Sequence, residues 1–418
     1  MSPPIDPSED DSNCTLKQLL EWLYGTQLFG VKLGLEGVRR LAKALAIHAG
    51  GPEAPCFIHV AGTNGKGSTC AMIDAMCRAA GLHSGLYTSP HLISLQERVR
   101  LNGRYIPETE LLSALKDIRE RIAHWEPHPT FFEIVTVLAL QWFQKMKAQV
   151  VVLETGMGGR LDATNLFTPR VSVLTPVGLD HQQYLGTTLT EIAREKAGIF
   201  KPGTPVVSAP QPAEVREVFE RRAQELGCAL TFVDTPWDKG AVNLPGTIQR
   251  WNAALAVAAI ETSGLPVDAS AQAAGLAQVS WPGRFQRLSE DVILDGAHNP
   301  PAAEALAATW QEEFPNEQAT LVFGALQDKD VGAVLRALKG IVKEVILVPL
   351  MNPRAHTTGA LRMLVEENLP SAKYRLAPNI AAALALPVEG RRLVAGSLYL
   401  VGEILAINRG SRVEISSQ

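Results

Sequence analysis

The sequence predicts an α/β protein made of two successive parallel-sheet units, the second smaller and Rossmann-like. Short apolar runs of strand type alternate with segments of helical apolar spacing, the pattern of a parallel sheet covered by helices. One such run, Phe57-Ile58-His59-Val60-Ala61, breaks into Gly62-Thr63-Asn64-Gly65-Lys66-Gly67-Ser68-Thr69, and a helical segment follows at once. Strand, glycine loop, helix is the order a phosphate-binding loop requires. The rhythm stops at Ser280-Trp281-Pro282-Gly283 and restarts at Val292, so two domains are expected, 1–285 and 286–418.

A chain of 418 residues with 46% hydrophobic content can furnish a core for each unit. Lys and Arg number 39 against 43 Asp and Glu, and the net charge of -4 excludes broad, sequence-independent nucleic-acid binding. Anion binding must be local. The five cysteines, Cys14, Cys56, Cys70, Cys77 and Cys228, form neither a CxxC pair nor a His/Cys metal spacing, and read as reduced thiols. Residues 1–12 are acidic and proline-bearing, without the order of a signal peptide, and no apolar run is long enough to span a bilayer. A cytoplasmic, soluble protein with no membrane partner is expected.

In chain order, 16–24 and 35–48 have the spacing of amphipathic helices, and the glycine-rich, apolar stretch 25–34 between them suits a lid. Residues 70–80 continue the glycine loop as a helix, and 84–87 form a short strand. Segments 107–125 and 131–146 are helical in spacing, whereas 149–153 is a continuous apolar run of buried-strand type. Strands at 171–174, 206–207 and 229–233, a helix at 213–226 and an alanine-rich helix at 249–263 complete the first unit. The second reads strand 292–294, helix 300–314, strand 320–323, helix 331–342, strand 345–348, helices 359–368 and 379–386, and strand 392–395. No short-period repeat is evident.

Parallel strands deliver their C-terminal ends to one edge, where ligands sit. Four such ends carry reactive groups. In the first, glycines aim backbone N–H groups inward, the helix N-terminus adds partial positive charge, and Lys66 supplies a full one. Val60 stands where the first Walker glycine belongs and Gly67 separates Lys66 from Ser68, so the loop departs from the strict pattern. The second is Ser89-Pro90-His91. In the third, Glu154 leaves an apolar strand into a glycine loop, and a carboxylate there is costly unless paired or metal-bound. Ser68, Ser89 and Glu154 together offer the hard oxygen donors that Mg2+ wants. The fourth is Asp180-His181, in which His181 is either a softer metal ligand or a histidine satisfied by local hydrogen bonds. His59, inside a strand, reads as a core histidine. In the second unit Asp295, His298 and Asn299 face a ligand, or Asp295 caps a turn and Pro300 starts a helix.

Taken together, these residues resemble the folylpolyglutamate synthase and dihydrofolate synthase family, a branch of the Mur-ligase superfamily. The likeness rests on Gly62 to Ser68, Thr88-Ser89-Pro90-His91-Leu92, Glu154 with Gly158-Gly159-Arg160-Leu161-Asp162-Ala163-Thr164-Asn165, Asp180-His181, Arg194-Glu195-Lys196-Ala197-Gly198-Ile199, Pro282-Gly283-Arg284-Phe285 and Asp295 to Pro300, all in family order. The resemblance implies a P-loop ATPase domain followed by a glutamate-binding domain. Such an enzyme joins L-glutamate to dihydropteroate or folate through an acyl phosphate, releasing ADP and phosphate.

By the same resemblance, Asn64, Gly65, Lys66, Gly67 and Ser68 hold the phosphates of ATP, and Asn252, Arg284 and Asp295 contact it. Ser68, Ser89, Glu154 and His181 would ligate Mg2+, with a monovalent cation as a further cofactor. The pterin would lie near Gly30, Val31, Lys32 and Leu33, near Thr130, Phe131, Phe132 and Glu133, and near Leu161, Asp162 and Ala163. His298 and Ser397 would lie near incoming glutamate. Lys66, Lys196 and His298 are the catalytic candidates, and a monomer is implied.

Lys196 matches the position where the family carries a carbamylated lysine. A carbamate would support the metal where an ammonium would be repelled, provided burial and nearby cations first lower the amine's pKa. The alternative is that Lys196 pairs with Glu191 or Glu195 on a solvated helix face. This sequence departs from the family in its short 233–249 segment and in Val31-Lys32, where an acidic residue often precedes the leucine. A cell-wall Mur ligase would need a further N-terminal domain, and only about fifty residues precede the loop. A non-catalytic nucleotide switch leaves Asp295 and His298 unexplained.

Overall fold

The computed structural model describes residues 15–30, 34–47 and 54–414. The first sheet contains β1 (Cys56–Ala61), β2 (Ser84–Tyr87), β3 (Val99–Leu101), β4 (Arg104–Tyr105), β5 (Val150–Glu154), β6 (Val171–Leu174), β7 (Val206–Ser208) and β8 (Leu230–Phe232). Their order is β4-β3-β2-β5-β1-β6-β7-β8. Pairing is parallel from β2 to β8, and β3 and β4 add an antiparallel edge.

Central placement of β1 brings the glycine loop out of the middle of the sheet. The register pairs Val60 with Glu154 and Ala61 with Leu174, so the chemically loaded strand ends lie side by side. β1 is buried on both faces. Phe57 joins the core under helices Leu16–Gly25, Glu36–Ala44, Glu108–Ile122 and Phe131–Lys145, whereas Ile58 and Val60 pack beneath helices Lys66–Ala79, Thr247–Ser263 and Ala269–Gln278. Each fully buried Leu, Ile or Val contributes about 1.5–3 kcal/mol.

The second sheet holds β9 (Gln286–Arg287), β10 (Val292–Leu294), β11 (Ala319–Phe323), β12 (Val342–Leu347), β13 (Lys373–Leu376) and β14 (Arg392–Ala395), in the order β13-β12-β11-β14-β10-β9. It is parallel except for β9, and one face closes over a core built on Trp310, Phe285 and Phe314. The domains interlock where the segment after β2 meets the last helix, Leu398–Arg409. Ile93 is buried among second-domain residues, and a side chain at Gly402 would collide with the Leu92 carbonyl.

Several elements differ from the sequence expectation. The helix expected over 331–342 stops at Leu338, because Ile341 and Val342 gain more from pairing beside Ala319 than from one more helical turn. Helix Ala269–Gln278 was not expected. It docks so closely on Lys66–Ala79 that a Cβ on Gly275 would stand 2.6 Å from the Met76 backbone. The β3–β4 hairpin and helix Leu398–Arg409 were also missed, the hairpin because two- and three-residue strands carry almost no periodic signal. Among the described residues Cys56, Cys70, Cys77 and Cys228 are free thiols, and no helix is long and apolar enough to cross a membrane.

Candidate active site

The strand ends of the first domain open into a cavity of about 470 Å³ that the second domain closes. At its floor Gly65 takes φ +89° as the cap of helix Lys66–Ala79. A Cβ there would stand 2.6 Å from Asn252 Oδ1, so the loop needs glycine for conformation and for the close approach of Asn252. Lys66 lines the cavity and donates to the Thr63 carbonyl at 3.1 Å. The buried hydroxyls of Ser68 and Thr69 find no hydrogen-bond partner among the described residues. An unmet buried hydroxyl costs about 1–3 kcal/mol, so this loop fits a ligand that brings oxygen or a metal-bound oxygen to Ser68.

Glu154 ends β5 almost fully buried and faces the same cavity. Burial pushes its carboxyl up, opposed by Lys66, by the Ser89 N–H that donates to Oε2 at 3.1 Å, and by Arg284 and Arg98. His181 sits at φ +50° at the start of helix Gln182–Leu185 and lines the cavity rim. Although its surface is open to the cavity, enclosure by the walls is the largest cause that brings its pKa to about 4. Lys329, Lys66 and His298 add to this against Asp180. The neutral ring keeps a lone pair for a ligand. Hard oxygens from Ser68, Ser89 and Glu154 with one imidazole nitrogen therefore fit a divalent cation.

Asp180 joins the two domains. It accepts from Lys329 Nζ at 2.7 Å and Asn299 Nδ2 at 3.2 Å, with His298 Nε2 at 3.9 Å. Burial works to raise its carboxyl, but His181, Lys329 and His298 override this and hold it well below the usual range. Beside it, Asn64 and Asn299 exchange two amide hydrogen bonds, 2.9 and 3.0 Å, between the glycine loop and the second domain. His298 donates from Nδ1 to the Gly296 carbonyl at 2.8 Å, which leaves Nε2 turned to Asp180.

Asp295 caps a turn and also lines the cavity. Its oxygens accept the N–H groups of Phe285 and Ala297 at 2.8 Å each, and it lines the cavity with Arg284 as its strongest cationic neighbour. Pro300 does start a helix, Pro300–Glu313, with Asn299 as its cap. Ser397 lines the cavity while capping helix Leu398–Arg409.

Of the residues expected around a pterin, Gly30, Thr130, Phe132, Glu133, Leu161, Asp162 and Ala163 line the cavity. Phe131 does not. It is fully buried and stacks on Tyr24 at 5.5 Å, because consecutive helical residues point about 100° apart and Phe132 takes the inward direction. Glu133 is largely committed to its own helix cap, since Oε2 accepts from the Thr130 N–H and hydroxyl. Asp162 is held by N–H groups of Met157 and Thr164 and by the Thr164 hydroxyl, itself 2.8 Å from His59 Nε2. Val31, Lys32 and Leu33 lie outside the described residues.

Lys196 is buried one peptide layer below the loop and does not line the cavity. Its Nζ donates to the Gly62 carbonyl at 2.7 Å, and burial, with Lys66 second, lowers its pKa to about 7. The solvated ion pair is overturned: Glu195 pairs with Arg160 at 2.8 Å and Glu191 caps the helix at Thr188. Sequence reasoning missed Arg98, Lys329, Arg354 and Tyr399, all cavity-lining. Lys329 had a usable signal, because Asp328-Lys329-Asp330 follows β11 as the other charged groups follow their strands.

The model of the Mur ligase middle domain matches residues 60–232, and that of the Mur ligase glutamate ligase domain matches 283–401. The dihydrofolate synthase/folylpolyglutamate synthase of Escherichia coli (strain K12) is 36% identical over 410 residues, covering 94% of this chain and 95% of that protein. Its Bacillus subtilis (strain 168) counterpart is 33% identical, covering 92% and 96%. A probable bifunctional folylpolyglutamate synthase/dihydropteroate synthase of Haloferax volcanii is 36% identical over 92% of this chain, which spans only 50% of that longer protein. Among solved structures, E. coli FolC in complex with DHPP and ADP superposes with a TM-score of 0.84 at 34% identity, covering 95% of this chain and 98% of that one. Mycobacterium tuberculosis folylpolyglutamate synthase complexed with ADP gives 0.86 at 29% identity, covering 96% and 100%. With both Mur-ligase domains matched in order and homology running nearly end to end, this chain belongs to the folylpolyglutamate synthase/dihydrofolate synthase family of Mur-type ligases.

Proposed function

We propose that this enzyme adds L-glutamate to the carboxyl group of dihydropteroate or of a reduced folate, with ATP as phosphoryl donor and ADP and phosphate as products. One observation carries the reading: the phosphate loop, the strand-end carboxylate Glu154, Arg284 at the domain junction and the second-domain groups Asp295, His298 and Ser397 all line one cavity. The E. coli relative solved with DHPP and ADP supports it.

A carboxylate is a poor acyl donor, and its phosphorylation gives an acyl phosphate that an amine can attack. The first step brings one anion against another, so fixed positive charge must lower the repulsion. Lys66, Arg98 and Arg284 supply it around Glu154. Asn64, Gly65, Lys66, Gly67 and Ser68 would bind the phosphates of ATP, with Asn252, Arg284 and Asp295 completing the nucleotide site. Ser68, Ser89, Glu154 and His181 would hold Mg2+, which screens phosphate charge when bound. The pterin would rest against Gly30, Phe132 and Leu161 to Ala163, and His298 and Ser397 would receive glutamate.

The amine must reach the acyl phosphate before water does, and closure of the second domain, held to the first by Asp180 and the Asn64–Asn299 pair, would limit the access of water to the cavity. Lys196, as a carbamate, would replace a cation under the loop by an anion beside Lys66. The domain boundary at residue 285, a monomeric state and a cytoplasmic location belong to the same proposal. The test is product analysis. ADP and phosphate should form only when a pteroate-type acceptor and L-glutamate are both present, and AMP with pyrophosphate would contradict the reading.

A further inference from the structure

Helix Leu398–Arg409 ends at Gly410, whose left-handed backbone turns the chain back toward the first domain. Glu414 then makes four contacts with the region between helix Leu16–Gly25 and β3. Its N–H donates to the Ile93 carbonyl at 2.8 Å. Its carboxylate Oε2 accepts the Leu95 N–H at 2.9 Å and the Tyr24 hydroxyl at 3.0 Å. Its carbonyl oxygen lies 3.1 Å from His91 Nε2, and the other ring nitrogen, Nδ1, lies 3.0 Å from Arg98 Nε.

Arginine can only donate, so Nδ1 is the acceptor and the single ring proton resides on Nε2, where it donates to the Glu414 carbonyl. With Arg98 Nε donating to Nδ1 at 3.0 Å, that nitrogen cannot carry a proton as well, so the ring holds one proton only and this direction is kept. The result is a one-way relay from Arg98 through His91 to the main chain of Glu414. Arg98 is itself almost fully buried, lies 5.1 Å over the Phe131 ring, and lines the cavity.

We infer that the segment 413–414 is a positioning element of the ligase site: by accepting the His91 proton it fixes the ring that aims Arg98 into the cavity. The inference rests on the proposed function, in which every reactant entering the cavity brings negative charge for a fixed guanidinium to meet. Without Glu414 the Nε2 proton loses its acceptor, the alternative tautomer becomes accessible, and that tautomer sets a donor against the Arg98 donor. The side chain of Glu414 adds a second tie, anchoring Tyr24 and the Leu95 turn at the same point.

The test uses the full chain, a variant stopped after Arg412, His91→Phe, and both changes together. Loss of a hydrogen bond to a charged group should raise the KM of the pteroate-type acceptor or of glutamate about tenfold or more, with the KM of ATP unchanged. Because one relay is broken in either case, the combined variant should be no worse than the shortened chain alone. His91→Asn, which keeps an acceptor near the Nδ1 position, should recover part of the loss. Unchanged acceptor and glutamate KM in the folded, shortened chain overturns the inference, as do penalties that add. If the shortened chain does not fold, equal KM values for His91→Phe and His91→Asn overturn it instead. A wild-type protein without glutamate-dependent ADP release is failure of the proposed reaction, a separate result. The inference is then decided by hydrogen exchange across 88–98, which must rise on shortening and overturns it if unchanged.

Discussion

Replacing Lys196 by Met separates carbon dioxide chemistry at this amine from simple packing. Lys196 is 3% exposed, its Nζ is 2.7 Å from the Gly62 carbonyl, and burial followed by Lys66 brings its pKa from 10.5 to about 7. At pH 7 about half of the amine is neutral, against about one part in three thousand at the ordinary value, a gain of roughly a thousandfold in the nucleophilic form. On the proposed modification the neutral nitrogen would add to CO2 and release one proton, and the carbamate would keep one N–H for Gly62 and place negative charge beside Lys66.

The folded pKa lies below the unfolded one, so between pH 7 and 10.5 the unfolded chain binds the extra proton. Stability from this group therefore rises with pH across that window. Below it the folded state carries the full penalty, roughly 5 kcal/mol on the scale of 1.36 kcal/mol per pKa unit. In carbon-dioxide-free buffer at pH about 6, Lys196→Met should melt above the wild type, because it removes a buried charge; with bicarbonate present at pH about 7 or above it should show at least about tenfold lower kcat than the wild type, because the amine that takes up carbon dioxide is gone. Calorimetry, glutamate-dependent ADP release with and without bicarbonate, and a bound resonance from 13C-bicarbonate are the measurements. A fully active Lys196→Met, or wild-type activity indifferent to carbon dioxide removal, refutes the reasoning.

Glu154→Ala should reduce turnover about a hundredfold or more if, as proposed, its carboxylate supports the metal. Its melting temperature should not fall, since burial already disfavours that charge; a normal rate with early melting would return Glu154 to a structural role. Arg284→Ala should raise the KM of ATP about tenfold with both domains folded, and an unchanged ATP dependence removes it from the nucleotide site. Gly65→Ala must force φ +89° on a side chain and press it on Asn252. It should cost about 1–2 kcal/mol and weaken nucleotide binding, and a variant with wild-type stability and affinity would contradict the loop geometry.

What this chain states by itself is what depends on near neighbours in sequence. The order strand, glycine turn, helix at Phe57 to Thr69, the strand ending at Glu154 and the proline that starts helix Pro300–Glu313 are local backbone events, and each was legible. Their convergence on one edge followed from parallel pairing. Only the tertiary structure decided which side of helix Phe131–Lys145 faces the cavity, because Tyr24 takes Phe131 as its stacking partner and leaves Phe132 to line it. It also set Arg98 of the first domain and Lys329, Arg354 and Tyr399 of the second on one cavity, an arrangement of two sheets that no periodicity encodes. Lys196 shows the difference most plainly. Its helix carries charged neighbours that suggest a solvated face, yet the fold buries its amine and assigns those carboxylates elsewhere. Periodicity is a property of adjacent residues, whereas desolvation and the field of distant charges exist only once the chain has closed around them.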